Sequence, residues 1–193
     1  MFAAVGSHRF SDVLERFLRL DDDACTALLV VLAVDAEGPS SAPGAHPMRV
    51  SEDTGLLLAR AVERWPARFE AVVAGSQVLR RNSLVIRALS RLRTPTVEAI
   101  LVDAAGAGED HVRAAALDGL LARHSAAITG LLPTLLGYPY GAARAAALGA
   151  APDYGDLNTL PILRWIAGSR RCKPWDREKA SQAIEAISLR LGR

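Results

Sequence analysis

The heptapeptide His111-Val112-Arg113-Ala114-Ala115-Ala116-Leu117 recurs as Ala142-Ala143-Arg144-Ala145-Ala146-Ala147-Leu148, 31 residues further on. A block of Ala bounded by Val or Leu favours helix, because Ala loses no side-chain entropy there and lets a neighbouring helix approach closely. The same step leads back to Asn82-Ser83-Leu84-Val85-Ile86-Arg87 and, more loosely, to Asp53-Thr54-Gly55-Leu56-Leu57-Leu58. A step of about 33 leads forward to Arg177-Glu178-Lys179-Ala180. Second helices fall between these, Gly130 to Leu136 and Asn158 to Leu163, each with one early proline (Pro133, Pro161) of the kind a first turn accepts. About five helical pairs result, each too small to bury its apolar stripe without a neighbour.

Around the repeat, the local signals agree with an all-α fold. Leu56, Leu57, Ala59, Ala61 and Val62 predict a helix ended at Trp65-Pro66, and Phe69, Val72 and Val73 a shorter one stopping at Gly75. Leu84, Val85, Ala88, Leu89 and Leu92 follow at helical spacing. Thr94-Pro95 with Glu98 predicts a helix from about 95 to 105, Gly106 and Gly108 close it, and Asp110 is expected to cap the next. Ser125 is expected to cap a helix beginning at Ala126, and Asp156 the one after Tyr154. The last helix, from Asp176 to about Leu191, carries Ala180, Ala183, Ile184, Ile187 and Leu191 on one stripe. Near the amino terminus, Asp12 and Glu15 read as a capping-box pair, residues 22–35 as a buried helix, and 37–50 as a surface loop rich in Gly, Pro and Ser. Residues 1–50 are thus an N-terminal helical cap plus loop, and 51–193 the repeat array, in what is read as one continuous domain.

At these residues the chain resembles the HEAT-like repeat family, in the short variety of about 30 residues named after phycobilisome-lyase proteins. Glu109-Asp110-His111-Val112-Arg113 followed by Ala114 to Leu117 is similar to that family's acidic turn, Val-Arg pair and Ala/Leu helix. The resemblance covers roughly residues 52–190 and implies an α-α superhelix, an α-solenoid. It further implies that Asp110 and Arg113 pair along the stack; Arg144 matches the arginine, while Gly141 and Ala142 stand where its acidic partner would be.

Composition narrows the function classes. Of 193 residues 50% are hydrophobic, 5% aromatic and 23% charged, which suits a globular helical protein and not a β-sandwich. The longest apolar run, Ala27 to Val34, falls far short of a membrane span, and no leader pattern opens the chain, so a cytoplasmic location without membrane association is expected. Cys25 and Cys172 form neither a disulfide framework nor a metal spacing, and His8, His46, His111 and His124 lack ligand spacing, so no metal and no cofactor is expected. Cys172, in Arg170-Arg171-Cys172-Lys173, has the cationic neighbours that favour a thiolate, with a solvated loop thiol as the default. His124-Ser125 and the Asp153, Asp156 pair are better explained by capping and turn formation than by catalysis.

Charge is distributed unevenly: the net +2 arises from about −3 over residues 1–50, 0 over 51–110 and +5 over 111–193. Arg80, Arg87 and Arg91 fall on one face of a single assumed helix, a stripe suited either to phosphates or to solvent. Arg164, Arg170, Arg171 and Lys173 lie beside Trp165 and Trp175, and Arg and Trp are enriched at binding hot spots, so this carboxy-terminal group is the preferred contact surface. The competing expectation is that the indoles fill gaps between helices, and for Trp165, in Ile162-Leu163-Arg164-Trp165-Ile166, that is the expected outcome. With no convergent catalytic set, the leading functional expectation is a non-enzymatic scaffold binding a protein partner through a curved surface. The alternative is a nucleic-acid-binding protein similar to the HEAT-like DNA glycosylases, using the basic Arg clusters. A chromophore lyase, implied by repeat resemblance alone, comes last.

Overall fold

The computed structural model describes residues 47–139 and 141–192. Among them every regular element is a helix. The chain divides into two compact units, Met1–Val97 and Glu98–Arg193. The expected elements at 10–21 and 22–35, with Cys25, lie outside the described residues.

In the first unit, α1 (Pro47–Arg64), α2 (Pro66–Gly75), α3 (Gln77–Arg80) and α4 (Ser83–Leu89) follow one another closely. Helix α1 starts inside the stretch expected to be loop, so residues 47–50 are helical. Proline suits that first position, where its missing N–H would have had no helical acceptor. Pro66 restarts the chain as α2 after Trp65. Leu58, Ala61 and Val62 of α1, Phe69 and Val73 of α2, Leu79 of α3, and Val85, Ile86 and Leu89 of α4 are buried. Burial of a side chain the size of Phe69 contributes about 2–3 kcal/mol. Helix α1 packs on α2 and α4, and α3 bridges α2 and α4. The short α3 has a local cause. The Ser76 hydroxyl accepts from the Leu79 amide, and the buried Asn82 carboxamide accepts from the amides of Leu84 (2.9 Å) and Val85 (3.1 Å), so one helix ends and another is capped within a few residues.

The second unit is reached through α5 (Pro95–Ala107), whose start is capped by the Thr94 hydroxyl accepting from the Val97 amide at 3.2 Å. Then come α6 (Asp110–Leu121), α7 (Ala127–Gly137), α8 (Ala142–Tyr154), α9 (Leu160–Gly168) and α10 (Pro174–Arg190). Helix α6 packs against α8 and α8 against α10; α7 packs against α6, α8 and α9, and α9 against α10. The Ser125 hydroxyl, just before α7, donates to the Glu98 carboxylate, and the Tyr138 hydroxyl, just after it, donates to the Gly106 carbonyl, so α5 and α7 run side by side in the same direction. Ala114 to Leu117, Ala143, Ala147 and Leu148 are buried, as the Ala blocks require of helices in close approach.

One local feature differs from expectation, and a second closes a helix without the usual residue. Pro133 lies in the interior of α7, because the Ser125 hydroxyl accepts from the Ala127 amide and starts the helix six residues earlier. Helix α6 ends without glycine: His124 takes φ 52°, its amide donates to the Leu121 carbonyl, and the Ser125 amide to the Leu120 carbonyl. This pair of bonds is the Schellman closure that usually places Gly at the left-handed position.

Candidate functional site

Helix α8 is held at both ends by charged side chains from the helices flanking it. At its start the Asp110 carboxylate, from the first turn of α6, accepts from the amides of Ala142 (2.7 Å) and Ala143 (3.2 Å). Gly141 makes this possible, since a Cβ there would lie 2.4 Å from Asp110 Oδ1. At its end the Arg190 guanidinium of α10 donates to the carbonyls of Pro152 (2.8 Å), Asp153 and Gly155. An anion at the amide end and a cation at the carbonyl end both match the helix dipole and satisfy groups with no partner inside the helix.

Asp110 therefore does not cap its own helix, where Glu109 holds the N-cap position, nor does it pair with Arg113. The carboxylate is turned toward the amides of the next helix, and the Arg113 guanidinium instead lies 3.7 Å above the Tyr138 ring, a cation–π contact of about 0.5–2 kcal/mol. Arg144 is buried. Its Nη2 donates to Cys172 Sγ at 3.1 Å, linking α8 to the turn before α10. Cys172 is a free, buried thiol and not a solvated loop residue. In the first turn of α10 the Asp176 side chain is 1% exposed, and neither carboxylate oxygen has a hydrogen-bond partner among the described residues.

The arginines expected to form one stripe in the first unit do not share a helix. Arg80 ends α3 and donates to the Ala74 carbonyl at 2.6 Å, Arg87 is exposed on α4, and Arg91, beyond α4, pairs with Glu63 at 3.3 Å. The cap at Asn82 resets the helix between the first and second of them, so the i, i+7, i+11 spacing no longer describes one face.

The carboxy-terminal group is brought to one end of the α9–α10 pair. Trp165 (60% exposed) lies three residues before the end of α9, and Trp175 (45% exposed) is the second residue of α10. Neither indole fills a gap between helices; Leu160, Leu163 and Ile166 take the buried face of α9 instead. Arg164, Arg170, Arg171 and Lys173 are also exposed. Arg164, Arg170 and Arg171 make no ion pair among the described residues. Upstream, Asp156 orders the turn into α9: its carboxylate accepts from the Thr159 hydroxyl and amide and from the Asn158 amide and side chain. Burial opposes ionisation there, but these bonds outweigh it and hold the carboxyl below its ordinary pKa.

No family model, curated protein or solved structure matches the chain. Among the described residues no three His, Cys, Asp or Glu side chains gather to hold a metal ion, and no helix is long and apolar enough to cross a membrane. Arg190, Tyr138 and Gly141 are the structurally active residues that sequence reasoning missed. One signal was present for Gly141: the first turn of α8 carries no acid and no Ser, Thr, Asp or Asn at its cap position, so its amides need an acceptor from elsewhere.

Proposed function

We propose that this protein is a HEAT-like helical-repeat scaffold that binds a protein partner, with the end of the α9–α10 pair as a principal contact surface. The observation that carries the binding reading is the joint exposure of Trp165 and Trp175 beside Arg164, Arg170 and Arg171. Large aromatic side chains left in water next to guanidinium groups are the composition of an interface hot spot. The repeat reading is supported in the second unit by the contacts of α6 with α8 and α8 with α10, and by Asp110 reaching amides 32 and 33 residues ahead. Helical pairs that lean on successive neighbours expose long surfaces suited to binding.

Affinity capture from native extract tests this, using wild type and the Trp165→Ala/Trp175→Ala variant, each with and without nuclease. The expected result is a protein retained by wild type, insensitive to nuclease, and lost with the double variant. A partner set unchanged by the double variant would remove the surface assignment. The three exposed arginines without ion pairs favour nucleic acid as the second reading, and retention abolished by nuclease would replace the first reading with it.

A further inference from the structure

We propose that the exposed end of the α9–α10 pair takes an acidic peptide segment bearing a large apolar side chain, an assignment of partner chemistry that rests on the protein-binding reading above. Both indoles lie within about one helical turn of the turn that joins the two helices, since each residue advances a helix by roughly 1.5 Å. Arg170 and Arg171 sit in that turn and Arg164 adjoins Trp165. The nearest acid in the sequence, Asp176, is 1% exposed and cannot meet a ligand, and at the surface the exposed Arg164, Arg170, Arg171 and Lys173 outnumber the one exposed acid nearby, Glu178. Guanidinium groups bind carboxylates through paired N–H donors, and an indole supplies rigid apolar area at small entropic cost.

The extent of the positive zone separates this partner from a nucleic acid. Beyond its first turn, α10 exposes Glu178 and Glu185, while Lys179 donates to Gln182 at 3.2 Å, so the charge there has no single sign. A phosphate backbone repeats its charge at every nucleotide and gains most from a basic surface longer than this one. Two or three carboxylates spaced around one apolar residue match a cationic zone that stops after a turn.

The test is fluorescence anisotropy with the full-length protein and three labelled probes: a short Glu-rich peptide with a central Leu-Phe pair, the same peptide with Gln for Glu, and an oligothymidylate of equal length. The Glu peptide is expected to bind in a salt-dependent manner. Affinity should fall about tenfold or more in Arg170→Glu/Arg171→Glu and in Trp165→Ala/Trp175→Ala, and stay unchanged in Arg87→Glu, a single charge reversal on α4. Tighter binding of the oligothymidylate, equal binding of both peptides, binding insensitive to the paired variants, or no peptide binding at low salt would each overturn the assignment. If the Glu peptide fails while a captured protein still depends on the two tryptophans, the chemistry proposed here falls and the scaffold reading stands.

Discussion

At the step from α6 to α8 the amides opening the second helix meet a carboxylate supplied by the first; at the step from α8 to α10 the arrangement is reversed. There the preceding helix supplies a cation, Arg144, bonded to Cys172, and the incoming helix carries its own acid, Asp176, together with Pro174, which has no amide hydrogen to satisfy. Gly141 opens room for the carboxylate at the first step. At the second, among the described residues, no carboxylate reaches across: the residue 31 positions on from Asp110 is Gly141 itself. Two repeats with nearly the same Ala-rich helix thus close their junctions with opposite charge. Sequence similarity within a repeat fixes the helix, while the residues flanking it determine how one helix is registered against the next.

The strongest way to break the first junction is Gly141→Ala. Its new Cβ would push aside the Asp110 carboxylate, the far end of a flexible side chain, so the cost expected in chemical denaturation is that of the displaced cap, about 1–2 kcal/mol. Asp110→Ala should cost about 1 kcal/mol, typical of a lost N-cap. Because both changes remove the same pair of hydrogen bonds, the double variant should be less destabilised than the two single costs together; full additivity would show that the cap is not what Gly141 protects.

The second junction is sharpened by a thermodynamic cycle. Arg144 and Asp176 are both buried, in the first turns of helices that pack together, and Arg144→Met is expected to cost about 1 kcal/mol less when Asp176 is Asn. Equal cost in both backgrounds would mean that the guanidinium serves the thiol alone.

The smallest effect concerns pH. The Asp156 carboxyl is held below its ordinary value, so its contribution to stability is complete above the unfolded-state value of about 3.9 and fades as pH falls through the lower folded-state value. Asp156→Asn should therefore lower stability at neutral pH, where the ionised carboxylate contributes in full, and converge on wild type as pH falls below about 4, so that the acid limb of the profile is flatter, as thermal unfolding across pH would show.

Much of the helical layout was readable, because its signals are local. Thr94 and Ser125 cap the helices whose starts they mark, and the Ala blocks supply buried residues that helices in close contact need. What escaped was non-local or depended on an unbroken helix. The Arg80, Arg87, Arg91 spacing is sound arithmetic on a helix that Asn82 interrupts. The destination of Asp110 lies 32 residues away, and that of Arg190 up to 38 residues back; the repeat sets the step between helices but not which side chain crosses it. The candidate surface was legible as a cluster of residue types. The exposure of its indoles was not, since Ile162-Leu163-Arg164-Trp165-Ile166 has apolar residues enough for either face to turn inward.

The double hold on α8 also bears on the order in which the chain matures during synthesis. Its leading amides find their acceptor in a segment already made, whereas its trailing carbonyls wait for residue 190, more than thirty positions downstream. A nascent chain stopped before Arg190 would carry α8 with its front anchored and its rear frayed, so α10 acts as a latch that fastens only once Arg190 has been made.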